Sequence, residues 1–193
     1  MTMPDSSHVR SIECLLFVAG EPLTARTIAK TLEMDEGLVP SSIQLLRARY
    51  AATDSALQVV EIAGGYQLAT RPELGALVGK YLAPHANRLS RPALETATIV
   101  SYRQPITQAE VEAIRGVASD GVLKTLIDRE LVVEVGRKPT PGRPILYGTT
   151  TAFLHYFGLA SLADLPPLED DEAEETASED AARLAIAAAG VGE

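Results

Sequence analysis

The chain holds one cysteine, three histidines and no apolar run near the ~20 residues that a helix needs to cross a bilayer. Each scarcity removes a class of protein. One cysteine rules out an internal disulfide framework, and Cys14 lies within an apolar run, so a buried thiol in a reducing compartment is expected. His8, His85 and His155 fall in separate segments and offer no metal-ligand spacing. No glycine-rich loop ends in Lys-Ser or Lys-Thr, so a phosphate-cradling nucleotide site is not expected, and Gly64-Gly65 and Gly142 read as turn residues. Nothing in the sequence nominates a catalytic triad. The opening residues, MTMPDSSHVR, are polar and do not read as a signal peptide. The expectation is a soluble cytoplasmic protein that is not an enzyme, with no cofactor, metal, membrane or small-molecule substrate.

What the chain does hold is apolar residues, 46% of 193. That length suits one medium or two small domains, and about two thirds of the unfolded surface can be buried without staples. The formal net charge of −9 is unevenly spread: −2 over residues 1–87, +2 over residues 88–148 and −9 over residues 149–193. From Glu169 the sequence EDDEAEETASED repels itself, and residues 169–193 read as an acidic, disordered tail whose alanine-rich end is too short for a stable helix.

Taken in order, a helix begins near His8 or Val9, with Ile12, Leu15, Leu16 and Ala19 at helical spacing, and Gly20 stops it. Glu21-Pro22-Leu23-Thr24 leads into a helix through Ile28, Ala29 and Leu32. Another runs from about Asp35 to Tyr50, with Leu38, Val39, Ile43, Leu46 and Tyr50 inward and Pro40 clouding its start. Leu57 to Ile62 and Tyr66 to Thr70 read as strands around a Gly64-Gly65 turn. Arg71-Pro72, a helix to about Leu82 and a polar joint at Pro84-His85-Ala86-Asn87 follow.

The second half repeats this order. Leu89 to Tyr102 forms a helix starting at Ser90, with Pro92 in its first turn. Thr107 and Glu110 make a capping box for a short helix that ends at Gly116. Ser119 or Asp120 caps the next, with Val122, Leu123, Leu126 and Ile127 on one stripe and Asp120, Lys124, Asp128 and Arg129 on the other. Leu131 to Val135 reads as a strand, Gly136 to Pro144 as a long loop and Ile145 to Tyr147 as the returning strand. Thr151 to Phe157 forms a last helix that packs Phe153, Leu154 and Tyr156, and Leu159 to Leu168 closes the fold. Glu21-Pro22-Leu23-Thr24 aligns with Gln104-Pro105-Ile106-Thr107 at a separation of 83 residues. The fold class is therefore mainly α with small β-hairpins (α+β), as two tandem winged helix-turn-helix domains, residues 1–84 and 85–168, plus the tail.

The runs SYRQPIT, EAIRGVASDGVL and GRKPTPGRPILYGTT, with CLLFVAGEPLT upstream and AGGYQLATRPE between, resemble the ScpB family of bacterial segregation and condensation subunits. The resemblance spans roughly Ser11 to Leu168. It implies a non-enzymatic, nucleoid-associated homodimer, joined through its N-terminal halves. Such a dimer binds the kleisin subunit ScpA, and through it the SMC protein, in chromosome condensation and segregation. The resemblance places the kleisin on winged-helix surfaces, so residues 85–168 are the expected kleisin-binding half. Candidate anchors are Tyr102, Arg103, Gln104, Pro105, Arg143 and Tyr147, residues that combine apolar reach with charge or amide groups.

The alternative is a winged-helix DNA-binding transcriptional regulator. Its recognition helix should present basic or amide groups to the major groove. Here that face alternates Asp120, Lys124, Asp128 and Arg129, and two carboxylates oppose phosphate binding. The wing suits DNA better, with Arg137, Lys138 and Arg143 in a proline-stiffened loop, so weak or indirect DNA contact is the expectation.

Overall fold

The apolar stripe Val9, Ile12 and Leu16 buries one face of α1 (Ser6–Val18). The computed structural model describes residues 6–82 and 88–167. Thr24 begins α2 (Ala25–Leu32), its hydroxyl accepting from the Thr27 N–H at 3.1 Å, and Glu33 ends it in the left-handed region at φ 51°. The single helix expected from Asp35 to Tyr50 divides. Asp35 starts a 3₁₀ turn (Glu36–Leu38) through its carboxylate and the Gly37 N–H, 2.7 Å apart. Only then does α3 (Val39–Ala52) begin, with Pro40 in the first turn where no intrahelical N–H is missed. Val39, Ile43, Leu46 and Tyr50 point inward as expected, while Leu38 is part-buried in the turn.

β1 (Leu57–Ile62) pairs antiparallel with β2 (Gly65–Thr70), from Leu57↔Thr70 to Ile62↔Gly65. The turn is Ala63-Gly64, at φ 53° and 72°, one residue earlier than expected. Gly65 belongs to the strand for a steric reason: a Cβ there would lie 2.9 Å from the Leu23 carbonyl carbon. Leu23 and Tyr66 in turn exchange backbone hydrogen bonds of 2.9 and 2.8 Å. A 3₁₀ turn (Pro72–Leu74) and α4 (Gly75–Leu82) follow.

Beyond the joint, α5 (Arg91–Arg103) starts after Ser90 with Pro92 in its first turn. A two-residue strand, β3 (Ile106–Thr107), precedes α6 (Gln108–Arg115). The capping box is formed: Thr107 accepts from the Glu110 N–H, and the Glu110 carboxylate accepts from the Thr107 N–H at 2.9 Å. Gly116 ends the helix at φ 70°. Ser119 opens α7 (Asp120–Asp128) but makes no side-chain cap, because its hydroxyl is buried and receives Arg115 Nη1 at 2.8 Å. Arg115 also reaches Glu95 at 3.2 Å, tying α5 to the α6–α7 turn. β4 (Val132–Arg137) runs two residues past the expected strand, with an irregularity in register between Glu134 and Gly136, and pairs with β5 (Ile145–Thr149). The sheet order is β3-β5-β4, so the hairpin has a third strand that the sequence reading missed.

α8 (Thr151–Phe157) buries Phe153 and also Phe157, their ring centroids 4.6 Å apart; Leu154 and Tyr156 are part-buried. Phe157 was not expected inside. It lies one helical turn beyond Phe153 and so shares its face.

Two apolar clusters form, one from Val9 to Val59 and one from Leu89 to Leu159. The Ala63 N–H donates to the Leu159 carbonyl at 2.8 Å, and His155 lies 3.1 Å from Gln67, so the first hairpin meets the end of α8. The expected burial of Cys14 is overturned: its thiol is exposed. An apolar run on a helix buries only one stripe, and Cys14 stands about 200° around from Ile12. Among the described residues no helix is long and apolar enough to cross a membrane. The joint at residues 84–87 and the tail at 169–193 lie outside the described residues.

Candidate partner-binding surfaces

The expected anchors fall into two groups at opposite ends of β5. At one end, α5 stops and the chain turns through Arg103-Gln104-Pro105. Arg103 and Pro105 are exposed, and the Gln104–Pro105 peptide is cis. The Tyr102 hydroxyl donates to the Pro166 carbonyl at 2.7 Å, which seats the phenol beneath the segment after α8. Gln104 is a staple rather than a free amide. Its Oε1 accepts from the Thr149 N–H at 2.8 Å, and its Nε2 donates to the Thr149 hydroxyl at 3.0 Å and the Ser101 carbonyl at 3.2 Å. Tyr147 is 7% exposed and belongs to the core, where burial, then the Glu134 charge, push its hydroxyl pKa upward.

At the other end stands the loop between β4 and β5. Arg143 is exposed at φ 42°, and its carbonyl accepts from Arg137 Nη1 at 3.2 Å. Lys138 is held at 2.6 Å by Glu110 of the α6 capping box. Hydrogen bonds from Lys138, then from the Thr107 backbone and hydroxyl, pull the Glu110 pKa down to about 2. Since Gln104 sits at Thr149 and Arg143 lies beyond Ile145, the two groups are separated by roughly 15 Å of strand. The structure thus brings Tyr102 to Pro105 together, and separately Arg137, Lys138 and Arg143, but does not merge them. On α7, Asp120, Lys124 and Asp128 are exposed and Arg129 is part-buried.

A third surface went unnoticed in the sequence. An open groove of about 370 Å³ is lined by Arg10, Glu13, Cys14 and Phe17 of α1, Tyr50 of α3, and Leu57 and Leu68 of the first hairpin. Within it the Glu13 carboxylate accepts from Arg49 and from the Tyr50 hydroxyl, the latter at 2.8 Å. Arg49 lowers the Glu13 pKa; burial, then the bond to Glu13, raises that of Tyr50 to about 12. The signal was present in the spacing 10, 13, 14, 17, a second helical stripe about 120° around from the core-facing one. Phe17, on the groove wall, is 72% exposed, and Tyr81 on α4 is 80% exposed. Among the described residues no group of three or more His, Cys, Asp and Glu gathers in a metal-binding arrangement. These surfaces offer apolar area edged with charge, which suits adhesion.

A family model described as segregation and condensation complex subunit ScpB matches residues 10–168. A segregation and condensation protein B from Moorella thermoacetica is 52% identical over 177 residues, 91% of each chain. One from Geobacillus thermodenitrificans is 49% identical over 161 residues, 82% of this chain and 77% of that one. Among solved structures, ScpB from Mycobacterium tuberculosis is 34% identical with a TM-score of 0.39, covering 82% of this chain and 99% of that chain. A dimer of an ScpB N-terminal domain complexed with an ScpA peptide is 30% identical with a TM-score of 0.37, covering 39% and 94%.

Proposed function

We propose, from the premise that this chain belongs to the ScpB family of segregation and condensation complex subunits, that it is a non-enzymatic accessory subunit of a bacterial SMC–kleisin complex. In this reading it forms a homodimer and binds the kleisin ScpA and, through it, the SMC protein. It acts in the cytoplasm, at the nucleoid, in chromosome condensation and segregation. One observation carries the reading: the family match over residues 10–168, seconded by 52% identity across 91% of a relative named for this role.

We read the architecture as two tandem winged helix-turn-helix domains, residues 1–84 for self-association and 85–168 for the kleisin, followed by a disordered acidic tail. The repeat supports this down to single residues. At an offset of 83, Thr24 and Thr107 cap equivalent helices, and Glu33 and Gly116 end them in the left-handed region. Leu23 pairs with Tyr66 as Ile106 pairs with Tyr147.

The kleisin contact in this reading uses Tyr102, Arg103 and Pro105 at one end of β5 and Arg143 at the other. Gln104 and Tyr147 hold that surface from beneath. A long, partly disordered partner can span the interval, and a rigid dimer offsets the freedom it loses. The wing residues Arg137, Lys138 and Arg143 leave room for weak DNA contact. Lys138 already spends its charge on Glu110, and α7 shows two carboxylates, which disfavours a sequence-specific regulator.

The test is co-purification from lysate with identification of the bound chains, where the kleisin and the SMC protein are expected. Mixed with purified kleisin, the chain should give two copies per kleisin by light scattering. Replacing Tyr102 and Arg143 together by alanine should weaken that complex by about 2–4 kcal/mol while the dimer persists. At physiological salt, duplex binding should be no tighter than the ~10⁻⁶ M of non-specific contact. A nanomolar preference for one site over scrambled DNA would overturn the reading in favour of a regulator.

A further inference from the structure

We propose that the acidic run after Leu168, EDDEAEETASED, docks on the basic loop between β4 and β5 of its own chain, with Arg137 and Arg143 as its contacts, and so competes with other polyanions for that loop. The inference goes beyond the accessory-subunit reading and does not depend on it.

The loop is a patch of one sign. From Gly136 to Tyr147 the chain carries Arg137, Lys138 and Arg143 and no carboxylate. Arg137 Nη1 donates to the Arg143 carbonyl at 3.2 Å, which ties the two arginines to one another. The Lys138 N–H donates to the Pro144 carbonyl at 2.9 Å and the Arg143 N–H to the Thr140 carbonyl at 2.8 Å, so the loop closes on itself. Both arginines are exposed. Lys138 is paired with Glu110, whereas among the described residues no carboxylate pairs with Arg137 or Arg143.

Sign, root and reach select the tail as occupant. Residues 169–180 hold eight carboxylates and no cation. Residues 1–87 carry −2 and residues 88–148 carry +2, so the second half is the one that attracts them. The root of the tail is fixed on that half: the Tyr102 hydroxyl donates to the Pro166 carbonyl at 2.7 Å, and the exposed Arg103 stands next to Tyr102 in the chain. From there the loop lies roughly 15 Å away along β5. Twelve extended residues reach up to about 40 Å, so the run can pass Arg103 and still lay carboxylates on Arg137 and Arg143.

Tethering gives these carboxylates an effective concentration in the millimolar range, which a free polyanion has to outcompete. A foreign acidic chain offers the same chemistry without the tether. Exposed ion pairs are weak singly, so the contact is a set of exchanging pairs that salt dissolves.

The full chain tests this. With Cys14→Ser and Ser178→Cys, a nitroxide on the tail should broaden the amide resonances of residues 137–143 at about 0.1 M salt. At about 1 M, where the screening length falls to about 3 Å, they should recover. Arg137→Gln with Arg143→Gln should remove the broadening. Ending the chain after Leu168 should tighten binding to a random-sequence duplex roughly three- to tenfold at about 0.1 M salt, since phosphates and tail carboxylates compete for the same arginines. In the double glutamine variant the same truncation should give no gain. A gain that persists there, with no broadening at the loop, would show general repulsion by the tail and overturn the docking. Broadening confined to α7 or to the first half would place the tail elsewhere and overturn it too. Broadening that survives about 1 M salt would replace ion pairing with apolar packing and overturn the account. Mixing nitroxide-labelled chain with isotope-labelled chain tests the tether: broadening in the isotope-labelled copy would assign the loop to another copy's tail and overturn docking within one chain.

Discussion

At the scale of the residue, Gly64 and Gly65 show how neighbours of one type do different work. Gly64 supplies a positive φ of 72° with open space around its missing Cβ, whereas Gly65 supplies room for Leu23 to pair with Tyr66. Gly64→Ala should therefore cost about 1 kcal/mol of backbone strain. Gly65→Ala meets backbone atoms at 2.9 and 3.0 Å that cannot swing aside, and should cost about 1–3 kcal/mol. Denaturant titration of the two variants checks the order, and equal costs would refute the steric account. Glu110 offers a pH test. Its carboxylate is held charged by Lys138 first and the Thr107 groups second, so its folded pKa falls from the ordinary 4.5 to about 2. The sign follows: the stabilisation is fully present above the unfolded value and is lost as pH falls through the folded one, so the window runs from about 4.5 to about 2. A carboxyl-resolved NMR titration should give Glu110 a midpoint near 2. Lys138→Ala should move that midpoint upward, and high salt should do so partly, because the pair is solvent-facing. The Thr107–Glu110 box was legible because its members are three residues apart. Lys138 was not, being brought in from 28 residues away by the return of the sheet.

At the scale of the element, periodicity located the helices and both hairpins, and it failed where an element is too short to have a period. β3 has two residues, so neither alternation nor propensity could announce it; its existence depends on β5 arriving beside Ile106. The repeat held the missing clue, since Leu23 and Ile106 both stand between a proline and a capping threonine, and each pairs with a tyrosine of its hairpin. The groove was unread for a different reason. Sequence patterning favours the stripe that meets the core, and the second stripe of α1 acquires meaning only once the hairpin lies beside it. Gln104 is the junction where elements meet, joining the end of α5 to the end of β5. Gln104→Ala leaves the Thr149 N–H without its acceptor and should cost about 1–3 kcal/mol. Gln104→Glu keeps the acceptor and loses the donor to the Ser101 carbonyl, so a smaller loss is expected. Hydrogen exchange at the Thr149 amide separates the cases. Faster exchange is expected in the alanine variant and not in the glutamate variant; unchanged exchange in both would show that the amide is protected by the sheet alone.

At the scale of the whole molecule, the two halves carry separate apolar clusters of unequal size. Among the described residues the first gathers ten buried apolar side chains and the second fifteen. A smaller core gains proportionally more from covering its exposed apolar area, here Phe17, Val18, Leu77 and Tyr81, against a second copy. Among the described residues the hydrogen bonds between the halves include Ala63 to Leu159 and Gln67 to His155, near the tip of a hairpin and the end of a helix. Each is worth roughly 0.5–1.5 kcal/mol net, less than either core supplies, so cutting the chain between the halves should not unfold them. A fragment ending at Pro84 should run as a dimer in light scattering, because it keeps the first core and the exposed apolar residues Phe17, Val18, Leu77 and Tyr81. A fragment starting at Arg88 should be monomeric, since its capped helices, three-stranded sheet and buried Phe153 and Phe157 close a core of their own. The melting temperature of the first fragment should rise with its concentration and that of the second should not, because only a coupled association makes stability depend on mass action. A monomeric first fragment with a dimeric second one would reverse the roles of the halves. The kleisin would then have to be sought on the first half, and Tyr102, Arg103 and Arg143 would become candidates for the self-contact instead.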